Sequence, residues 1–431
     1  MSDLSSMSRE RKKGQLRRRM ISPDKGERVV PETGHGNEAG KPKNRGRTRR
    51  HFVILLIFFT VVAGIGFGIY EYFIYHTYTE YRTLWEKPVS EGGASQYAAF
   101  GGNVIKYTRD GASYIDNKGE TKWIQPYEMK NPIISIKGDY AAIADQQGNT
   151  IYIFNKDGCQ GTASTVRPIV KVAVAANGQV AAILEDSRAS YIRYYDRDGS
   201  DTIHKKDGSE MVQEIKTVLS GDGYPLDIAL SPDGSQIIVS FVYLDQREMG
   251  QRIVIYDFSE IGKNENHIVG GFDKDFKDSL AARVIYPNED SACAFTDNGI
   301  TFFSTKNLAS IALVKKAEAR DAFITSIFYS EKYAGMIVQD MMGSGNYRMD
   351  VYDLKGDEIF SKEFDYQYQG IQISGESVIL YNENTCKIFN MHGVEKFSGE
   401  LDIAPDIIVG GSQADTLIVT GQQIMKEIKL E

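Results

Sequence analysis

Beyond residue 80 the chain is written in short runs in which apolar and polar positions alternate, broken by turns that carry Gly, Asn or Asp. The clearest unit is VYDLKGD at residues 351–357, where alternating β-formers lead into an Asp and a Gly-bearing turn. It recurs as YIFNKDG (152–158), RYYDRDG (193–199), VIYDFSE (254–260, with the Gly lost) and KIFNMHG (387–393). A strand-plus-turn repeated at spacings of about 36 to 60 residues predicts a radial array of small antiparallel sheets, an all-β propeller. Eight segments align as a first strand: 97–101, 133–136, 169–175, 226–231, 283–287, 323–329, 370–374 and 406–410. A more apolar second strand follows, clearest in YAAIAD (140–145), QVAAILED (179–186), SQIIVSF (235–241), ACAFTD (292–297), AGMIVQD (334–340) and SVILYN (377–382). A polar fourth strand then fits the outer edge of each blade, where unpaired backbone groups face water.

The last repeat supplies three strands, at 406–410, 416–420 and 424–430. The missing fourth is expected from 83–88, because TLWEKP there matches TKWIQP at 121–126, with Trp85 and Trp123 in corresponding places. Pairing the first strand with the final blade closes the ring and removes its open edges. The expected count is eight blades, with seven as the alternative.

The third-strand pattern IYDxxG, with SPDG (231–234) at one turn between first and second strands, is similar to quinoprotein-like and WD40-like propellers, without the regular WD and GH dipeptides. The full layout of basic tail, single apolar helix and divergent propeller over 82–431 resembles a bacterial family of unknown function, domain of unknown function 5711. That resemblance implies a fold and no catalytic residues.

The N-terminal part is of a different kind. Residues 1–50 carry 15 Lys and Arg against 6 Asp and Glu, a net of +9 in a chain whose total is −8. With little apolar periodicity, 1–51 reads as a disordered basic cytoplasmic tail. The runs RERKKGQLRRR (9–19) and KPKNRGRTRR (41–50) are read as a flank for anionic lipid and not as a nucleic-acid patch, because an uncharged 19-residue run, 52–70, follows. At helical rise it spans about 28 Å, close to the hydrocarbon thickness of a bilayer. A transmembrane helix over 52–75 is therefore expected, uncleaved, with a short stalk at 76–81 and the propeller at 82–431. Positive charge before the helix and aromatics after it place the N-terminus in the cytoplasm and the propeller outside the cell membrane. Gly64 and Gly68 have the spacing that lets membrane helices approach closely.

Catalytic signals are absent from the sequence. His204, His267 and His392 lie outside any metal-ligand spacing, and neither a GxSxG elbow nor a GxxxxGK[ST] loop occurs. The GSGN at 343–346 has no strand-to-helix switch around it and reads as a loop. Asp196, Asp198 and Asp201, and likewise Asp273, Asp275 and Asp278, fall short of a calcium loop and read as solvated turn carboxylates. The three cysteines are widely spaced: Cys293 and Cys386 read as buried, Cys159 as exposed after a DG turn, with a disulfide from Cys159 to either of the others left open. No metal, cofactor or catalytic residue is expected.

Loop length points instead to binding. Second-to-third strand loops and blade-to-blade connections emerge on one face of a propeller, and the long insertions 205–224, 243–250, 271–280 and 341–346 are all assigned to it. They carry Tyr224, Tyr243, Arg247, Met249, Phe272, Phe276, Met341 and Met342, residue types enriched at interface cores. The expected function is a non-enzymatic binding or scaffold protein of the cell envelope, with membrane lipid and a protein or envelope component as partners. The alternative is an enzyme or cofactor protein with a quinoprotein-like site in the channel.

Overall fold

The computed structural model describes residues 45–431 except 90–94, 202, 205–209, 212, 220, 246–247, 260–266, 277–278, 320–321 and 341–345. The described residues divide into two units between Phe67 and Gly68. Among the described residues one α-helix, Arg45–Tyr75, contains the stretch His51–Tyr75, which is long and apolar enough to cross a membrane. It starts ahead of the uncharged run, so the basic residues from Arg45 extend its first turns.

Eight four-stranded antiparallel sheets follow. Blades one to seven cover 96–126, 132–164, 169–217, 224–272, 281–318, 322–364 and 370–400, each with its strands in chain order from the axis outwards. Blade eight combines Ile407–Gly410, Thr416–Thr420 and Ile424–Leu430 with Tyr81–Pro88 as its outermost strand. The eight-blade expectation and the expected closure are both met. Trp85 pairs with Glu427 in register and donates Nε1 to its Oε2 at 2.9 Å.

Burial explains why the strands read as they do. Second strands are covered on both faces by neighbouring blades, so Val180–Glu185 and Thr416–Thr420 are buried almost throughout. Many of their residues are small, such as Ala141, Ala142, Ala181, Ala182, Ala292 and Ala294, because blades narrow towards the axis. Outer strands such as Ala312–Glu318 keep only scattered buried positions.

The recurring Asp–x–x–Gly is a turn machine. Asp353 Oδ1 accepts the backbone N–H groups of Lys355 and Asp357 at 2.9 Å each, and Gly356 takes φ +83. Asn390 does the same for His392 and Val394. Each turn also leans on the outer strand of the preceding blade: a Cβ at Gly119 would meet the Trp85 ring at 2.7 Å, and one at Gly199 the Thr162 carbonyl oxygen at 2.3 Å. Trp123 likewise stands against the Gly158 turn of the next blade, although its Nε1 donates to Lys156 O of that turn at 3.1 Å and not to its own blade. In blade four, where the Gly is lost, the chain re-enters the sheet with His267 at φ +65.

One loop assignment needs correcting. The stretch 205–224 is not a single blade-to-blade connection, because Glu214–Thr217 pairs with Ser190–Tyr195 as the outer strand of blade three. The small hairpin of Ile203–His204 with Glu210–Met211 therefore belongs to the third-to-fourth strand connection of blade three, on the opposite face, and of this stretch only the described residues after Thr217 lead on to blade four at the long-loop face.

Candidate functional site: the channel mouth of blades three to six

Four consecutive inner strands share a defect that the other four lack. Ile169–Val174, Tyr224–Leu230, Ala281–Asn288 and Ala322–Tyr329 each skip one residue in pairing near their start, at positions 170, 226, 282 and 325. A bulge at that point leaves an extra residue unpaired and re-aims the side chains after it. The residues that resume pairing in blades three to five are Lys171, Asp227 and Arg283. Because inner strands start at the long-loop face, these side chains stand near one mouth of the central channel.

They form one network across four blades. Lys171 Nζ donates to Asp227 Oδ1 at 2.8 Å, and Arg283 Nη1 lies 3.6 Å from the same oxygen. Asp227 Oδ2 accepts the backbone N–H of Val284 at 2.9 Å, and Arg283 Nη2 donates to the Tyr329 hydroxyl at 2.7 Å. The Asp227 side chain is 1% exposed, whereas Lys171 is 36% and Arg283 43% exposed. A buried carboxylate needs such partners to offset its desolvation. Burial pulls the Arg283 pKa down, but Tyr329 and Asp227 outweigh it and the net shift is upwards, so the guanidinium stays charged. The opposite end of the channel is bridged from blade two to blade five: Lys137 Nζ donates to Tyr286 O at 2.6 Å and to Pro287 O at 2.5 Å.

The described members of the sequence-predicted contact set occupy different strands and turns of blade four and its connection to blade five, with different exposures. Tyr243 and Met249 belong to a lengthened hairpin, Gln236–Asp245 with Glu248–Asp257, in which pairing continues to Asp245 and Glu248. Met249 is 75% exposed, while half-buried Tyr243 lies 4.0 Å from the Arg252 guanidinium. Tyr224 opens the inner strand of blade four and is half-buried. Phe272 ends the outer strand of that blade and packs on Phe303 at 4.8 Å. Phe276, on the turn Lys274–Phe276, is 1% exposed and belongs to the core between blades four and five, where it offers no contact surface. Arg247, Met341 and Met342 lie outside the described residues.

Exposed Val218, Leu219 and Leu244 add an apolar edge to this side, with Leu244 N donating to Leu219 O at 3.2 Å. The network itself was missed from sequence. Its trace there is a charged residue inside an apolar first strand, in IVK, PLD and AAR, visible only once the eight inner strands are compared position by position.

Other features are less connected. Clefts of about 290 and 480 Å³ lie on the outer rim by blades five and six, lined by Lys315, Lys316 and Glu318 among others, away from the network. Among the described residues no group of three His, Cys, Asp or Glu is placed to hold a metal. Asp196 and Asp198 accept backbone N–H groups of their own turn, and Asp201 pairs with Arg193. His267 lies against the Asp257 carbonyl, Nδ1 at 3.0 Å, and His392 packs edge-on to Tyr70.

Compared with known proteins, residues 74–430 match the family described as "Family of unknown function (DUF5711)". No curated protein matches the chain. Among solved structures, BamB from Moraxella catarrhalis is similar with a TM-score of 0.48 at 12% identity, over 81% of this chain and 100% of that one. The Pan2 WD40 domain of Neurospora crassa gives 0.43 at 10% identity, over 82% and 97%. These are likenesses of fold alone.

Proposed function

The chain belongs to the DUF5711 family, and from that premise we propose that it is a membrane-anchored binding or scaffold protein of the cell envelope that engages its partner with the long-loop face of blades three to six. The observation that carries this reading is the convergence, on one side of the ring, of four bulged inner strands, a lengthened hairpin and an exposed apolar edge. Bulges and long loops on a rigid frame mark the places where chains depart from regularity for function. Tyr224, Tyr243, Arg247, Met249, Phe272, Met341 and Met342 are the contact residues of this reading. Anchoring is supported by the apolar helix, and its orientation by the net +9 of residues 1–50, which favours a cytoplasmic N-terminus in contact with anionic lipid.

Photocrosslinking of the intact protein in its native membrane tests this. A crosslinker at Met249 captures one protein or envelope component that a crosslinker at Lys355, an exposed turn residue on the opposite face, does not. Equal capture from both positions refutes the assignment of the face.

A further inference from the structure

The network of Lys171, Asp227 and Arg283 carries an unbalanced charge. Lys171 and Arg283 contribute two cations, and Asp227 the one anion of the network. The single carboxylate is buried and saturated by Lys171 and the Val284 N–H, whereas both cations reach the channel surface. Tyr329, the last residue of its strand, accepts from Arg283 from the side of the other channel end. Both cations sit against the same oxygen of Asp227, close enough for a single anion to span them.

We propose that this mouth binds a carboxylate presented by an acidic peptide segment, received by Arg283 and Lys171, which the buried Asp227 holds in place. This rests on the partner-binding reading above and gives the partner its chemistry. Arginine's planar fork matches a carboxylate, and a partly desolvated wall strengthens the pairing. A peptide, and not free phosphate, is favoured by the surroundings. Tyr224 lies three residues before Asp227 on the same strand, and Leu219, Leu244 and Met249 present apolar side chains at the same end of blade four. The donors are side chains of separate strands, unlike the run of backbone N–H groups that cradles phosphate. The rest of the chain beyond the basic tail is acidic, so attraction is confined to the mouth within a Debye length of about 8 Å at physiological salt.

The test uses the full chain in nanodiscs and a fluorescein-labelled octaglutamate peptide, with octaglutamine of the same length as control and inorganic phosphate as competitor. Octaglutamate binds and octaglutamine does not. Arg283→Gln and Lys171→Gln each weaken binding at least about tenfold, Lys315→Gln in the outer-rim cleft leaves it unchanged, and phosphate does not displace the peptide. Equal binding of the two peptides, displacement by phosphate at matched concentration, or equal loss in Lys315→Gln overturns the proposal. Should Arg283→Gln fail to fold, the contrast between the two peptides on the unaltered protein decides. If octaglutamate fails while a crosslinker at Met249 still captures a partner, this inference falls and the binding reading stands.

Discussion

Asp227 is the residue with most to lose. It is nearly inaccessible, and its two oxygens serve a lysine of blade three and an arginine and a backbone N–H of blade five. Replacement by Ala leaves the buried Val284 N–H without its acceptor, while the two cations can turn to water, so the loss is about 1–3 kcal/mol. Denaturant unfolding of Asp227→Ala is expected to show a midpoint lowered accordingly, with the slope unchanged. Gly199 is constrained for a different reason. Its φ is +86 and a Cβ would overlap the backbone of Thr162, which cannot rotate away. Gly199→Ala therefore loses stability through strain and through separation of blades two and three, by about 2 kcal/mol or more; the same unfolding curve measures it.

Among the elements, the closing strand Tyr81–Pro88 joins the two ends of the propeller fold. Its anchor is Trp85, which donates to Glu427 and covers the Gly119 turn of blade one. Burial pushes the Glu427 carboxyl up, but hydrogen bonds from Ser412, Thr416 and Trp85 outweigh it, and the net pKa lies below the ordinary 4.5. A carboxyl depressed in the folded state contributes stability above its unfolded pKa and loses it as pH falls through the folded one. Acid is thus expected to loosen the closure first, read as a change in Trp85 fluorescence below about pH 4.5 in a Trp123→Phe background. Glu427→Gln should remove that transition and cost about 1–3 kcal/mol at neutral pH. Trp85→Ala should go further: it frees a strand edge, and its signature is concentration-dependent aggregation of the propeller.

At the level of the whole molecule, orientation in the membrane and the state of the thiols can be read together. Cys159 is exposed, while Cys293 and Cys386 are fully buried. Burial pushes both buried thiols up, Cys386 to about 12. Since the thiolate is the reactive form, a membrane-impermeant maleimide added to intact cells should label one thiol, at Cys159, and all three only after denaturation. Absence of labelling until the cells are lysed would place the propeller on the cytoplasmic side and contradict the proposed topology.

The sequence by itself determined the strand-and-turn grammar, the number of blades and the way the ring closes. Each of those follows from local physics: alternation fixes which face is buried, Asx–Gly turns fix where the chain reverses, and Trp85, like Trp123, stands against the turn of the next blade. The site was legible only in part. Loop length pointed to the side of the ring where the bulges lie, but it counted Phe276 as a contact residue, although a short helical turn folds that ring into the core. It also merged 205–224 into one loop, because a weak four-residue outer strand, Glu214–Thr217, carries little alternation of its own. The channel network was decided by tertiary structure alone. Lys171, Asp227 and Arg283 are separated by 56 residues at each step and meet because bulges at the same height turn three neighbouring strands towards one space. A one-residue slip in pairing leaves almost no mark on composition or periodicity, yet it sets where every side chain after it points.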